Sequence, residues 1–484
     1  MNNITSLAFA ILGVSAAVLA AVFSNRLSAI IRVPAPALFL VVAAVAAKLF
    51  PSLGSLSGGT DISIVTIALV FILFDGGMHI GWRRFRASLG AVTWLGIAGT
   101  VVTAAAIAAV AHLLFGFDLR LALLLGAALS PTDPAIVFSV LGKREVAGRT
   151  GTILEGESGA NDPVGIALML ALLSVTGSGS GAVPGGFAQF GLQLVVGAAV
   201  GILGGLLLGK LLRHIALPNE ALYSVRTIAF AGLIYAAATL LQGSGFLAVL
   251  LAGVLVGDTH APFKREIRQF SSGIASLAEI AAFSILGLSV PLDVVLDPSV
   301  LWTGIAIAVL LILVIRPVLV GLLLIPVKLR LGERAFVLWA GLRGAVPILL
   351  GMFILQAKVA GAGRVYATIF IVVLVSVILQ GGLVPLFARL FRVPMRVIEP
   401  YPWSSGLRFT RRPDGMHEFV VAPGSAADGA TVDALDLGDD GWISLIRRDG
   451  GLVQVRGSTR VEAGDVVLAL SSGDADLGRL FDDG

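Results

Sequence analysis

The chain has 484 residues, of which 57% are hydrophobic and only 13% charged, and its mean hydropathy is +0.96. A soluble globular chain carries about 25% charge, so lipid must solvate most of this one. The net charge of +4 reads as membrane orientation rather than nucleic-acid binding, and the lack of cysteine excludes disulfides, zinc–thiolate sites, iron–sulfur clusters and thiol catalysis.

An apolar run from about Ser6 to Phe23 opens the chain. Arg26 and Arg32 follow it and no positive residue precedes it, which suits a retained first span and not a cleaved signal. At ~20 apolar residues per crossing, about thirteen spans are expected, near 5–23, 34–50, 62–81, 88–115, 119–142, 154–178, 187–212, 222–241, 245–258, 269–289, 300–325, 333–357 and 365–389. Alternate loops and the segment after the last span carry twenty Lys and Arg, from Arg26 and Arg32 through to Arg389, Arg392 and Arg396. The other side carries four: Lys48, Arg120, Lys358 and Arg364. That asymmetry predicts an N-terminus outside and a C-terminus in the cytoplasm. The histidines (His79, His112, His214, His260, His417) lack metal-ligand spacing and read as loop or helix-end residues.

Composition shifts near residue 400. His417–Ala422, Trp442–Arg448, Leu452–Val455 and Asp465–Leu470 read as short strands separated by Gly and Asp clusters, with a short helix at the end. The expected fold class is therefore an all-α polytopic membrane protein plus a small cytoplasmic α/β domain. The boundaries are a transmembrane domain over 1–396, a linker over 397–416 and a soluble domain over 417–484.

Seven ionisable residues fall inside apolar spans: Asp75, Asp133, Glu157, Asp162, Glu279, Arg316 and Arg343. Each costs at least ~2.5–3.5 kcal/mol at the bilayer centre unless paired or hydrated. Five acids against two arginines leave a negative surplus, which points to a cation or proton path. Two spans are interrupted, the fifth by Ser130-Pro131-Thr132-Asp133-Pro134 and the twelfth by Gly341-Leu342-Arg343-Gly344-Ala345-Val346-Pro347. Proline removes an amide donor and clashes with the preceding turn, so both should unwind, and freed carbonyls and half-helix ends can hold a cation or a charge. The breaks lie seven spans apart, as an inverted repeat of spans 1–6 and 8–13 would place them. In the sixth span, at about 100° per residue, Ser158 shares a face with Asp162 and Glu157 shares one with Asn161, while Glu157 and Asp162 diverge by about 140°. One face offers Asp162 and Ser158 to an ion; the other turns Glu157 towards a basic partner.

These motifs, together with Phe74-Asp75-Gly76-Gly77, resemble the NhaP-type monovalent cation:proton antiporters over most of residues 5–390. The resemblance implies that Asp162 of the Asn161–Asp162 pair is the transporting carboxylate, with Ser158, Thr132 and Asp75 as further ion ligands. It also implies a structural pair of Glu157 with Arg343, a mobile core carrying the broken helices, and a homodimer. A second pair, Glu279 with Arg316, is suggested by sign and by the proximity of their spans. Residues His417–Leu480 are similar to the C-terminal ligand-binding module of RCK/TrkA potassium-transport regulators, through Glu418-Phe419, Gly424-Ser425, Leu445–Asp449 and Ala463–Val467. That implies an unknown small regulatory ligand and favours K+ over Na+ as the cation exchanged for protons across the plasma membrane. No cofactor, enzyme activity or nucleic-acid partner is expected beyond the transported ions and membrane lipid. The alternatives are a sodium/proton antiporter with the same site and an RCK-gated potassium channel. A channel lacks support here because no Thr-Val-Gly-Tyr-Gly filter is present. A membrane enzyme is the third class, and it has neither a His-Glu-x-x-His nor a Gly-x-Ser-x-Gly motif to support it.

Overall fold

The computed structural model describes residues 34–50, 59–141, 144–146, 148–176, 183–259, 261–397, 416–437, 441–449, 451–471 and 477–481, plus Ser15, Leu19 and Phe23. The expected first span, most of the 397–416 linker, and Arg26, Arg32 and His260 lie outside the described residues. The chain forms two compact units, Met1–Ile398 and Glu399–Gly484.

The first unit is helical. Its elements are α1 (Ala35–Leu49), α2 (Thr60–Ile80), α3 (Trp82–Phe115), α4 (Leu119–Leu129), α5 (Ala135–Leu141), β1 (Arg144–Val146), α6 (Gly148–Thr176), α7 (Val183–His214) and α8 (Glu220–Leu240). They continue with α9 (Gly245–Gly257), α10 (Lys264–Leu288), α11 (Pro298–Leu323), α12 (Leu331–Trp339), α13 (Ala345–Gln356), α14 (Ala362–Leu390) and β2 (Met395–Val397). Seven of these helices are long and apolar enough to cross a membrane: α2, α3, α7, α8, α10, α11 and α14. The shorter apolar helices α1, α4, α9 and α13 pack among them. This is a polytopic, mostly helical membrane protein. The fifth and twelfth apolar segments are each two helices with a gap, α4/α5 and α12/α13.

Small residues let the backbones close up, because helix association in lipid relies on packing rather than on water exclusion. Gly197, Gly201 and Gly205 of α7 abut Ser244, Ala248 and Ala252 at α9, and a Cβ on Gly77 of α2 would fall on the Leu250 carbonyl of α9. Three helices contain π-helical stretches: α3 over Trp94–Gly99, α11 over Leu311–Val320 and α14 over Ser376–Gly381. Such bulges free backbone carbonyls and re-aim side chains; the one in α11 holds Arg316 and Pro317. β1 and β2 pair antiparallel, tying the chain after α5 to the chain after α14.

The second unit is an antiparallel sheet of β3 (Met416–Val420), β4 (Gly441–Arg448), β5 (Gly451–Val453) and β6 (Val466–Ser471), in the order β3-β6-β4-β5. Ile443, Ile446, Val467 and Ala469 build its core with Val421, Leu477 and Phe481, and Phe419 stacks on Phe481 at 4.8 Å. The helical parts are short turns, Val432–Ala434 and Gly478–Phe481. Among the described residues this is a small β-sheet domain where an α/β module was expected. Two short turns are too little helix to form a second layer.

Candidate ion-translocation site

The two helix breaks meet. The Asp133 N–H, between α4 and α5, donates to the Leu342 carbonyl between α12 and α13 at 2.7 Å. Each break ends a helix early and leaves its last carbonyls without partners. A buried arginine answers each end. Arg343 Nε donates to the Leu129 carbonyl at the end of α4 (3.0 Å), and its Nη1 donates to the Gly341 carbonyl. Arg316 Nε and Nη2 donate to the Leu338 and Val337 carbonyls at the end of α12, at 3.0 and 3.1 Å. A cation at the C-terminal end of a helix opposes the helix dipole. At the opposite pole, the Asp133 carboxylate lies beside the start of α13, where a Cβ on Gly344 would sit. A Cβ on Gly341 would likewise fall on the Arg316 guanidinium, so the second break is close-packed at both of its glycines.

α6 runs past this crossing with two working faces. On one, Glu157 accepts from Arg316 Nη2 at 2.9 Å, with both side chains almost fully enclosed. This corrects two expected pairings. Glu157 pairs with Arg316 and not with Arg343, because Arg343 is drawn to the α4 end while the π-helical stretch at Pro317 carries Arg316 to α6. Among the described residues no hydrogen bond or ion pair joins Glu279 to Arg316. Ser376 and Gln380, in the π-helical stretch of α14, complete the crossing. The Arg343 N–H donates to Ser376 Oγ at 3.1 Å, and Gln380 Nε2 donates to the Trp339 carbonyl at 2.9 Å.

On the other face, three polar residues clamp α6 to the α4/α5 break. Ser158 Oγ donates to the Thr132 carbonyl (2.6 Å), Asn161 Nδ2 to Thr132 Oγ1 (2.7 Å), and the Thr132 N–H to Asn161 Oδ1 (3.2 Å). Asp162 is 8% exposed, and its Oδ1 has no hydrogen-bond partner among the described residues. A buried carboxylate oxygen left without a donor is costly; a proton or a cation would satisfy it.

Asp162 opens into a cavity of ≈480 Å³ that Asp75, Asp133, Glu155, Ser158 and Glu279 also line. Asp75, on α2, accepts from Ser272 Oγ of α10 at 3.0 Å and lies 3.4 Å from His79 Nδ1. The structure thus brings Asp162, Ser158, Asp133 and Asp75 to one cavity, with Thr132 and Asn161 bonded behind it, and sets Glu157 and Arg343 in the framework around it. The sequence reads His79 as a loop or helix-end residue, and it lies in the last turn of α2; its contact with Asp75 and the role of Ser272 were not foreseen. His79 was legible as the i+4 neighbour of Asp75 on one helix face. Ser272 left no signal, since its role depends on α10 packing on α2.

An acidic cavity at two interlocked helix breaks, within a bundle of apolar helices, defines a membrane secondary transporter. Residues 13–390 match the family described as "Sodium/hydrogen exchanger, transmembrane", and 416–481 match the TrkA-C domain. The chain belongs to the sodium/hydrogen exchanger family: it is a transporter, not an enzyme, and couples a monovalent cation to protons across a membrane. It is 33% identical over 420 residues to the K(+)/H(+) antiporter NhaP2 of Shewanella sp. (strain MR-4), covering 84% of this chain and 71% of that one. It is 38% identical over 328 residues to the K(+)/H(+) antiporter NhaP of Alkalimonas amylolytica, covering 67% and 57%. The Na(+)/H(+) antiporter NhaH of Halobacillus dabanensis is 29% identical, covering 68% and 83%. The structure of the sodium proton antiporter MjNhaP1 from Methanocaldococcus jannaschii superposes with a TM-score of 0.64 at 22% identity, covering 78% of this chain and 99% of that one. That likeness is one of fold.

Proposed function

We propose that this antiporter trades one monovalent cation, K+ in preference to Na+, for one proton at Asp162. The observation that carries the reading is the buried Asp162 oxygen with no donor among the described residues, on the wall of an acidic cavity. A carboxylate so enclosed needs neutralising. A proton or a cation does it equally, and each excludes the other, so binding is competitive. Ser158, Thr132 and Asn161, held in register by their own hydrogen bonds, offer neutral oxygens beside it, and Asp75 joins from α2. The empty, charged site crosses the membrane poorly because nothing offsets its desolvation. Asn161 is neutral, so one carboxylate of the pair changes charge and exchange is electroneutral. The K(+)/H(+) relatives at 33% and 38% identity and the TrkA-C match favour K+; the Na(+)/H(+) relative at 29% keeps sodium exchange as the second reading.

The same reading takes the chain as about thirteen crossings, N-terminus outside and C-terminus cytoplasmic, in a plasma-membrane homodimer. It divides the chain at 1–396, 397–416 and 417–484, with a small regulatory ligand on the last part. The matching of the two broken helices supports an inverted repeat, since each first half ends on a buried arginine. The test is Asp162→Asn in everted vesicles challenged in turn with K+, Na+, Li+ and Rb+. Expression and fold should persist while cation-driven proton movement disappears. Robust exchange by this variant sinks the reading.

A further inference from the structure

Glu279 is an acid that the site described so far leaves without a role. It lies on α10 and lines the same cavity as Asp162. The arginine nearest in expectation, Arg316, is held by Glu157 at 2.9 Å. Among the described residues Glu279 makes no hydrogen bond or ion pair, whereas Asp75 has Ser272 and His79. Asp162 and Glu279 thus face one cavity from two walls, α6 and α10, and neither is bonded to a cationic side chain among the described residues. The other charged or titratable groups lining the cavity are Asp75 and His79 from α2, Asp133 from the first break, and Glu155 from α6. The helices α9 and α13 bring none, and Glu220, Tyr223, Arg226 and Tyr235 of α8 do not line it.

We propose that Glu279 is a second, affinity-determining carboxylate of the cation cavity, acting on the cation through intervening water. The proposal rests on the reading of Asp162 as the exchanging group and adds to it. The cavity, at ≈480 Å³, is far larger than the roughly 10–15 Å³ that one water needs, so it has room for water beside a cation at Asp162. Through that water Glu279 acts by Coulomb attraction, focused by low-dielectric walls. Such attraction depends on charge and not on ionic radius. Ser158 on the cavity wall, with Thr132 bonded to it, is where ions of different radius are told apart. Glu279 therefore raises affinity for every monovalent cation by a common factor, and the contact oxygens set the ratios between cations.

The experiment measures apparent KM for K+, Na+, Li+ and Rb+ at one pH, with the full-length protein in proteoliposomes. Glu279→Gln should raise KM about tenfold for each cation alike, with maximal rate largely kept, and Glu279→Asp should recover most of the affinity. Ser158→Ala and Thr132→Ala should change the ratios instead. The chain has no cysteine, so Glu279→Cys carries a single thiol and gives an independent check. A sulfonate-bearing methanethiosulfonate should lower KM relative to the unlabelled thiol, and a trimethylammonium-bearing one should raise it. Unchanged KM in Glu279→Gln, a change confined to one cation, or indifference to the sign of the label overturns the proposal. Asp162→Asn run in parallel separates the two failures. Exchange by Asp162→Asn defeats the underlying reading, whereas an inactive Asp162→Asn beside a wild-type-like Glu279→Gln defeats this one alone.

Discussion

Arg316 holds three acceptors at once, the Glu157 carboxylate and the carbonyls of Val337 and Leu338, while only 2% exposed. Removing one partner of an enclosed pair strands the other charge, at a cost of ~3–5 kcal/mol. Glu157→Gln and Arg316→Met should each lower thermal stability by that order, and the double variant should lose less than the two single losses combined. Glu157→Gln with Arg343→Met should depart less from additivity, which thermal unfolding of the purified set would decide. The intramembrane charges singled out were legible in sequence, because each falls within a predominantly apolar span. Which arginine meets which acid was not legible: both lie in apolar spans far from Glu157 in the chain, and the π-helical stretch at Pro317 that aims Arg316 leaves no periodic signal. In the second unit, Arg448 bonds Asp465 through two contacts of 2.8 Å and holds its carboxyl below the usual carboxylate range. A depressed acid contributes stability above its unfolded pKa and loses it as pH falls through the folded one. The sheet should therefore loosen only below about pH 4, and Asp465→Asn should loosen it already at neutral pH. Hydrogen exchange of the β6 segment in the intact protein checks both.

At the level of elements, the glycines and prolines of the two breaks announced themselves, since Pro131, Pro134 and Pro347 cannot continue a helical ladder. Their interlock did not, because Asp133 and Leu342 are brought together only by the packing of distant helices. That interlock should be intolerant of a single added methyl group. Gly344→Ala places a Cβ on the Asp133 carboxylate and Gly341→Ala places one on the Arg316 guanidinium. Each should cost about 1–3 kcal/mol of stability through overpacking, and exchange should fall with it. Gly232→Ala, whose added Cβ meets nothing within 4 Å, is the control and should leave both unchanged. Wild-type thermal stability and exchange in Gly344→Ala would mean that the breaks do not pack as described.

For the whole molecule, composition shifts near residue 400, and the chain divides into two compact units at Ile398. Alternation made the four strands of the tail legible, but not that its described residues form no helical layer, because loop segments such as Ala426–Leu437 carry no decisive period. The intramembrane charges singled out above all lie upstream of Arg396, so deletion of the residues after it should preserve exchange while changing its pH or ligand dependence. A folded, membrane-inserted truncation with no exchange under any condition would contradict that division of labour. The competition of cation and proton for Asp162 is tested most directly by apparent K+ affinity measured across pH in proteoliposomes. One-proton competition predicts that KM rises about tenfold per pH unit on the acid side of the site's titration, with maximal rate unchanged. A KM that stays flat across the range where exchange itself varies would contradict the account.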